Sequence, residues 1–238
     1  MTSDPMYEHF AHEYADHAES GAYNALYDRP AVLGLAGDVE GKTVLDAACG
    51  PGFYARDLFA RGAARVIACD VSPTFVEMTR ERTGGRAEPH VHDLAEPMDW
   101  LADGSVDLAV LALAVHYLDD AVALLRELRR VLAPGGAVVL STEHPTTKWL
   151  RLGGSYFEES VVEESLSDDA DWPVRAWRRP LTAICAQFRE AGFLIDELLE
   201  PLPAPEMADL FPDDYAALQN APAFIAFRLV PREEHAHA

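Results

Sequence analysis

Cysteine is scarce in this chain of 238 residues: Cys49, Cys69 and Cys185 are odd in number and far apart. That excludes a disulfide framework and a thiolate metal site, and a reducing, cytoplasmic setting is expected. Positive charge is scarce too, with 19 Lys and Arg against 40 Asp and Glu, a net charge of −21. Such a surface repels polyanions, since nucleic-acid binding rests on cationic contacts to phosphate, and it speaks against anionic membranes. Neither is expected as a partner. The longest apolar run, Leu108 to Val115, is eight residues, where a bilayer-spanning helix needs ~20. The start, MTSDPMYEHF, lacks a basic segment and an apolar stretch, so no secretory leader is expected. No repeat or low-complexity tract stands out. What remains is a globular composition, 49% hydrophobic and 25% charged, in a chain long enough for one large domain with a real core.

Within that composition, apolar runs alternate with helical periodicity. Thr43 to Ala47 (TVLDA) reads as a strand ending in Gly50-Pro51-Gly52, followed by a helix over 54–61. Arg65 to Asp70 is a second strand; Ser72 caps the next helix, with Pro73 in its first turn. A third strand ends within His90 to Asp93. Val106 to Ala112 is apolar except at Asp107, as in a strand buried on both faces. Asp119 and Asp120 begin a helix with Leu124, Leu128 and Val131 at i, i+4, i+7, which Pro134-Gly135-Gly136 ends. Ala137 to Ser141 is the fifth strand, Phe193 to Leu199 the sixth and Ala223 to Val230 the seventh, with a helix from Leu181 to Ala191. Residues 145–180 read as an irregular stretch rich in Gly, Pro and aromatics. The fold class is α/β, a doubly wound sheet.

Ligands of such sheets bind beyond the carboxyl ends of the strands. Those ends carry Asp46, Cys49, Gly50 and Gly52; Asp70; Asp93; Val115, His116 and Tyr117; Glu143 and His144. Gly50 and Gly52 let a backbone approach a ligand closely at a helix start. Asp70, twenty residues after Gly50, suits the vicinal hydroxyls of a ribose. A dinucleotide fingerprint wants a third glycine where Ala55 stands, which counts against NAD.

VLDAACGPG, VIACDVSP, HDLAEP, SVDLAVLALAVHYL and RVLAPGGAVVLSTEHP, in this order and spacing over residues 43–144, resemble class I S-adenosylmethionine-dependent methyltransferases of the small-molecule branch. The resemblance implies a Rossmann-like sheet of seven strands, mostly parallel with the last antiparallel, and a lid insertion after the fifth strand. It implies S-adenosyl-L-methionine as cofactor and S-adenosyl-L-homocysteine as product. Gly50 and Gly52 would face its methionine and ribose, with Asp46 organising the loop and the ammonium. Asp70 would hold the ribose hydroxyls. Val71 would pack on adenine, and Asp93 and the Leu94 N–H would bind its edge. Backbone around Leu113 and Ala114 would meet the ammonium. Ala48 departs from the family pattern, standing where the loop usually has its first glycine. Five divisions follow: an N-terminal helical cover over 1–42, with Tyr14, Tyr23 and Tyr27 as cofactor-covering candidates; a cofactor core over 43–144; a lid over 145–180; completion of the sheet over 181–230; and a polar tail over 231–238 carrying His235 and His237.

Methyl transfer from a sulfonium needs an in-line nucleophile ~3 Å away and little acid–base help. If a base is needed, His116 and His144 are the catalytic candidates, with Tyr14 a further one. Tyr117, Trp149, Tyr156 and Trp177 are substrate-wall candidates. Arg175, Arg178 and Arg179 offer either an anion clamp or ion pairs to nearby glutamates. No acidic or histidine cluster has metal spacing, His9, His12 and His17 included, so no metal is expected. A small organic substrate methylated on O, N or C, with a natural product or an acid among the candidates, and a monomer or homodimer are expected. The alternatives are a protein of this fold that catalyses a rearrangement without methyl transfer, an NAD-dependent oxidoreductase, and a noncatalytic interaction domain.

Overall fold

The computed structural model describes residues 5–167 and 170–233; His235 and His237 lie outside the described residues. A seven-stranded sheet is built from β1 (Thr43–Ala47), β2 (Arg65–Asp70), β3 (Glu88–Val91), β4 (Val106–Leu111), β5 (Leu132–Glu143), β8 (Phe193–Leu199) and β9 (Phe224–Pro231). Its order is β3-β2-β1-β4-β5-β9-β8. Pairings among β1 to β5 are parallel, and β9 is antiparallel to both β5 and β8. The expected architecture is present, with its last strand reversed.

The central strands are apolar on both faces because both are covered. Leu45, Ala109, Leu111, Val138 and Leu140 pack with Leu124, Leu125 and Leu128 of helix α5 (Ala121–Val131). On the other face, Val44, Leu108, Val110 and Val139 meet Val32, Leu33 and Leu35 of α2 (Arg29–Ala36) and Ala55 and Leu58 of α3 (Phe53–Ala60). Helix starts follow the caps. The Ser72 hydroxyl accepts from the Phe75 N–H at α4 (Pro73–Arg82), and Asp120 accepts from the Ala123 N–H at α5.

Two readings change. The Pro134-Gly135-Gly136 turn is not a gap before β5 but lies inside it, where the register with β4 shifts between Val106 and Leu108. A Cβ on Gly136 would stand 2.9 Å from the Ala133 carbonyl and 3.0 Å from that of Asp107, so a larger residue there would force the bulged strand to shift. Residues 145–180 are not irregular. They form α6 (Pro145–Leu152) and an antiparallel hairpin of β6 (Ser160–Ser165) and β7 (Pro173–Arg178). Glycines and prolines at the ends of these elements made the segment read as loop.

At the N-terminus, a 3-10 turn (Glu8–Phe10), α1 (Ala11–Ser20) and one π-type turn (Asn24–Asp28) precede α2. Glu8 pins this segment to the start of α4, accepting from the Ser72 and Thr74 hydroxyls. Helix α7 (Leu181–Glu190) covers the β8 side through Ile184 and Phe188. Among the described residues no helix is long and apolar enough to cross a membrane.

Candidate active site

Strand order reverses direction between β1 and β4, and there a cavity of about 660 Å³ opens at the carboxyl ends of the strands. The loop after β1 is left-handed at three positions: Ala48 (φ 57°), Gly50 (52°) and Gly52 (86°). Ala48 thus keeps the turn that a glycine would make. The Gly50 N–H donates to Asp70 Oδ2 at 2.9 Å, and the Ser72 N–H donates to Oδ1 at 2.9 Å. Asp70 ties the first loop to the second and turns its remaining lone pairs to the cavity. Burial pushes its carboxyl up to about 6, against the lowering pull of these amides.

Of the residues singled out in the sequence, Tyr14, Ala48, Gly50, Asp70, Val71, Asp93, Leu94, Leu113 and Tyr117 line this cavity, as do Cys49 and Ala114. Leu113 has φ 50°, and its N–H reaches both the carbonyl and the hydroxyl of Ser141, each at 3.1 Å. A leucine held there is strained, and its bonds to β5 hold it. Asp93 is exposed on its loop and accepts from the Ala95 N–H.

Others stand elsewhere. Gly52 faces α4: a Cβ would lie 2.7 Å from Thr79 Cα, so its smallness serves helix packing. Asp46 is buried behind the loop and off the cavity wall, with Oδ2 unpartnered. Burial first, then the Asp70 charge, pushes its carboxyl up to about 8. His116 borders a separate pocket of about 20 Å³ with Thr142, Glu143, Lys148 and Trp177. Its Nδ1 lies 3.1 Å from Thr142 Oγ1, and burial pushes the imidazole down to about 4. His144 caps α6, Nδ1 accepting from the Thr146 N–H, while Nε2 meets Glu200 at 2.9 Å. Trp149 donates to the Gly154 carbonyl, and Tyr156 accepts from the Leu181 N–H. Trp177 donates to Asp119. Tyr23 and Tyr27 pack with Phe224 in a separate core. Among the described residues of 145–180 only Arg175 reaches the large cavity, 3.7 Å from Asp119; Arg178 holds the Ser155 carbonyl, and Arg179 those of Leu118 and Asp119.

Sequence reading missed Tyr7, Asn24, Asp28, Arg29, Tyr54 and Phe75, which also line the cavity. The Tyr7 and Tyr117 hydroxyls meet at 2.6 Å, and Tyr7, Tyr14, Phe75 and Tyr117 form a ring cluster. Burial raises both phenols of the Tyr7–Tyr117 pair, so at neutral pH they are hydrogen-bonding groups and not bases. Asp28 and Arg29 had no distinguishing signal in a chain so rich in charge. Only the fold folds them inward. Among the described residues no group of three His, Cys, Asp or Glu could hold a metal.

Residues 45–140 match the family model of a methyltransferase domain. The malonyl-[acyl-carrier protein] O-methyltransferase of Salmonella typhimurium is 32% identical over 76% of this chain and 71% of its own; several other curated relatives are matched over less than two thirds of their length. The structure of an S-adenosylmethionine-dependent methyltransferase from Mesorhizobium loti superposes with a TM-score of 0.69 at 24% identity, covering 89% of this chain and 99% of that one. The cyclase SpnF shares the fold with a TM-score of 0.65 at 16% identity, covering 96% and 95%. Strand order, loop geometry and these likenesses agree: the chain belongs to the class I S-adenosylmethionine-dependent methyltransferases.

Proposed function

We propose that this chain transfers the methyl group of S-adenosylmethionine to a small organic acceptor held in the large cavity. The observation that carries the reading is Asp70: buried, bonded to two loop amides, and open to the cavity beside the left-handed loop. A carboxylate so placed suits vicinal ribose hydroxyls. Val71, Asp93 and Leu94 would surround adenine, and Ala48, Gly50, Leu113 and Ala114 would take the amino-acid end. Residues 43–144 then act as the cofactor core, with residues 1–42 as its cover through Tyr7 and Tyr14. When bound, the cofactor supplies an electrophilic methyl on a charged leaving group. The chain's own residues hold and orient. Tyr117 and its partner Tyr7 offer a neutral hydroxyl pair to the acceptor, and the ring cluster excludes water. His116 and His144 do not line this cavity, and the reading gives them no chemical step.

Asp28, Asp70, Asp93, Asp119 and Asp120 line the cavity against Arg29 and Arg175. That balance favours a neutral or cationic acceptor over an acid. Calorimetric titration with S-adenosylhomocysteine, with NAD as control, tests the reading: micromolar binding of the sulfur ligand alone supports it, and no binding sinks it. Accumulation of S-adenosylhomocysteine with product separates transfer from rearrangement. Asp70→Ala is expected to weaken that binding by more than about 1 kcal/mol; unchanged affinity would remove Asp70 from the ribose.

A further inference from the structure

Pro5, Met6 and Tyr7 line the large cavity from a strap of chain that belongs to neither a strand nor a long helix. Tyr7 bridges the cavity. Its ring packs on Phe75 of α4, centroids 5.8 Å apart, and on Tyr117 beyond the end of β4, 6.0 Å apart, and its hydroxyl meets that of Tyr117. Helix α4 follows β2, and β2 and β4 flank β1 in the sheet. The ring thus runs from one side of the loop after β1 to the other. Little in the strap itself fixes it there. The Met6 sulfur accepts from the Arg175 N–H at 3.3 Å, and sulfur is a weak acceptor.

The charged tie is the next residue, Glu8, which does not line the cavity. Both of its carboxylate oxygens are used: Oε2 accepts from the Ser72 hydroxyl and Oε1 from the Thr74 hydroxyl. Ser72 caps α4 and Thr74 lies in its first turn, so the negative charge also meets the positive end of the helix dipole. Burial works against that charge, but the two hydroxyls hold the carboxyl below its ordinary range. At neutral pH the tie is therefore charge-assisted. Ser72 is shared. Its N–H donates to Asp70 Oδ1 at 2.9 Å, while its hydroxyl donates to Glu8 and accepts from the Phe75 N–H. One buried serine joins the carboxylate assigned to the ribose to the residue beside Tyr7. Resting on the cofactor reading above, we propose that Glu8 is a positioning residue, latching Tyr7 across the cavity so that a ligand on Asp70 is enclosed and leaves only when the latch opens. The Tyr7–Tyr117 hydroxyl pair offered to the acceptor is assembled in the latched state alone, so the cofactor binds first and the acceptor meets a finished wall.

The test measures the dissociation rate of S-adenosylhomocysteine by surface plasmon resonance on wild-type protein, Glu8→Ala, Tyr7→Ala and the double variant. Glu8→Ala is expected to release the ligand about tenfold faster or more. Tyr7→Ala should also release it faster. The double variant should be no faster than Tyr7→Ala, because a latch without Tyr7 holds no ring over the ligand; a residue that merely stabilised the fold would give effects that multiply. Thr74→Val removes one of the two donors and leaves the Ser72 cap in place. It should show a smaller acceleration, again absent once Tyr7 is removed, and it decides the matter should Glu8→Ala not fold. An unchanged rate in Glu8→Ala would overturn the proposal, as would multiplying effects of Glu8→Ala and Tyr7→Ala. Failure of the wild type to bind S-adenosylhomocysteine would instead overturn the cofactor reading, and the proposal with it.

Discussion

Ala48 and Leu113 are the two non-glycine residues with left-handed backbone among those described, and both line the cavity. Left-handed geometry costs a side-chain-bearing residue roughly 1–2 kcal/mol, so the strain is concentrated at the site. Ala48→Gly is expected to relieve part of it, raising stability by up to about 1 kcal/mol after the entropy of the freer unfolded chain is subtracted; denaturant unfolding reads the sign. Asp46 gives a pH prediction. Its carboxyl rises from 3.8 to about 8 in the folded protein, chiefly through burial. Between these values the native state holds a proton that the unfolded state has lost, so this group's contribution to stability falls as pH rises through the window. Glu8 and Glu164, lowered by their hydrogen bonds, act in the opposite sense as pH falls towards the carboxylate range. Asp46→Asn should therefore gain melting temperature over wild type at pH 8 more than at pH 5. An equal change at both would show that Asp46 does not titrate there.

At the level of elements, α6 and the β6–β7 hairpin are joined to the sheet by a buried cation. Lys148 of α6 has a 5% exposed side chain and bridges Glu143 at the end of β5 to Glu164 of β6, 2.8 Å from the latter. Arg151 holds Glu164 as well. Removing one member of a buried ion network leaves the others uncompensated, at about 3–5 kcal/mol. Lys148→Ala is expected to destabilise the protein by roughly that amount in urea, and the hairpin carrying Arg175 should become protease-sensitive first. Loss of under about 0.5 kcal/mol, the range of a surface pair, would mean that water reaches these groups. On the other side of the cavity, Phe10 stacks on Trp172, rings 5.7 Å apart. The N-terminal segment and the hairpin thus meet over the site, each contributing what the other leaves uncovered.

Across the whole molecule the dominant physical fact is a net charge of −21. Arginine-carboxylate pairs such as Arg65–Glu88 and Arg126–Glu190 are well exposed and worth ~0–1 kcal/mol each. Self-repulsion is long-ranged and cumulative, so screening should remove more repulsion than attraction. Melting temperature is expected to rise as sodium chloride goes from about 20 to about 200 mM; a fall would show that the ion pairs outweigh the excess charge.

What the chain determined by itself is local. The runs at Thr43–Ala47 and Arg65–Asp70 became strands at their expected bounds because their apolar residues are buried between two covered faces, and Phe193–Leu199 became one as a mostly exposed edge strand. The Gly50 turn, the Ser72 cap and the position of Asp70 are likewise fixed by backbone sterics and short-range hydrogen bonds. Tertiary structure decided which side chains share the cavity. His116 and His144 end strands as expected, yet one turns into a pocket too small for a substrate and the other caps a helix. Tyr7 and Asp28 lie far apart in sequence from β4 and come to the cavity because the N-terminal segment folds over the sheet, while Tyr54 comes to it from the first turn of α3. Side-chain direction depends on packing partners distant along the chain, and no local pattern encodes it.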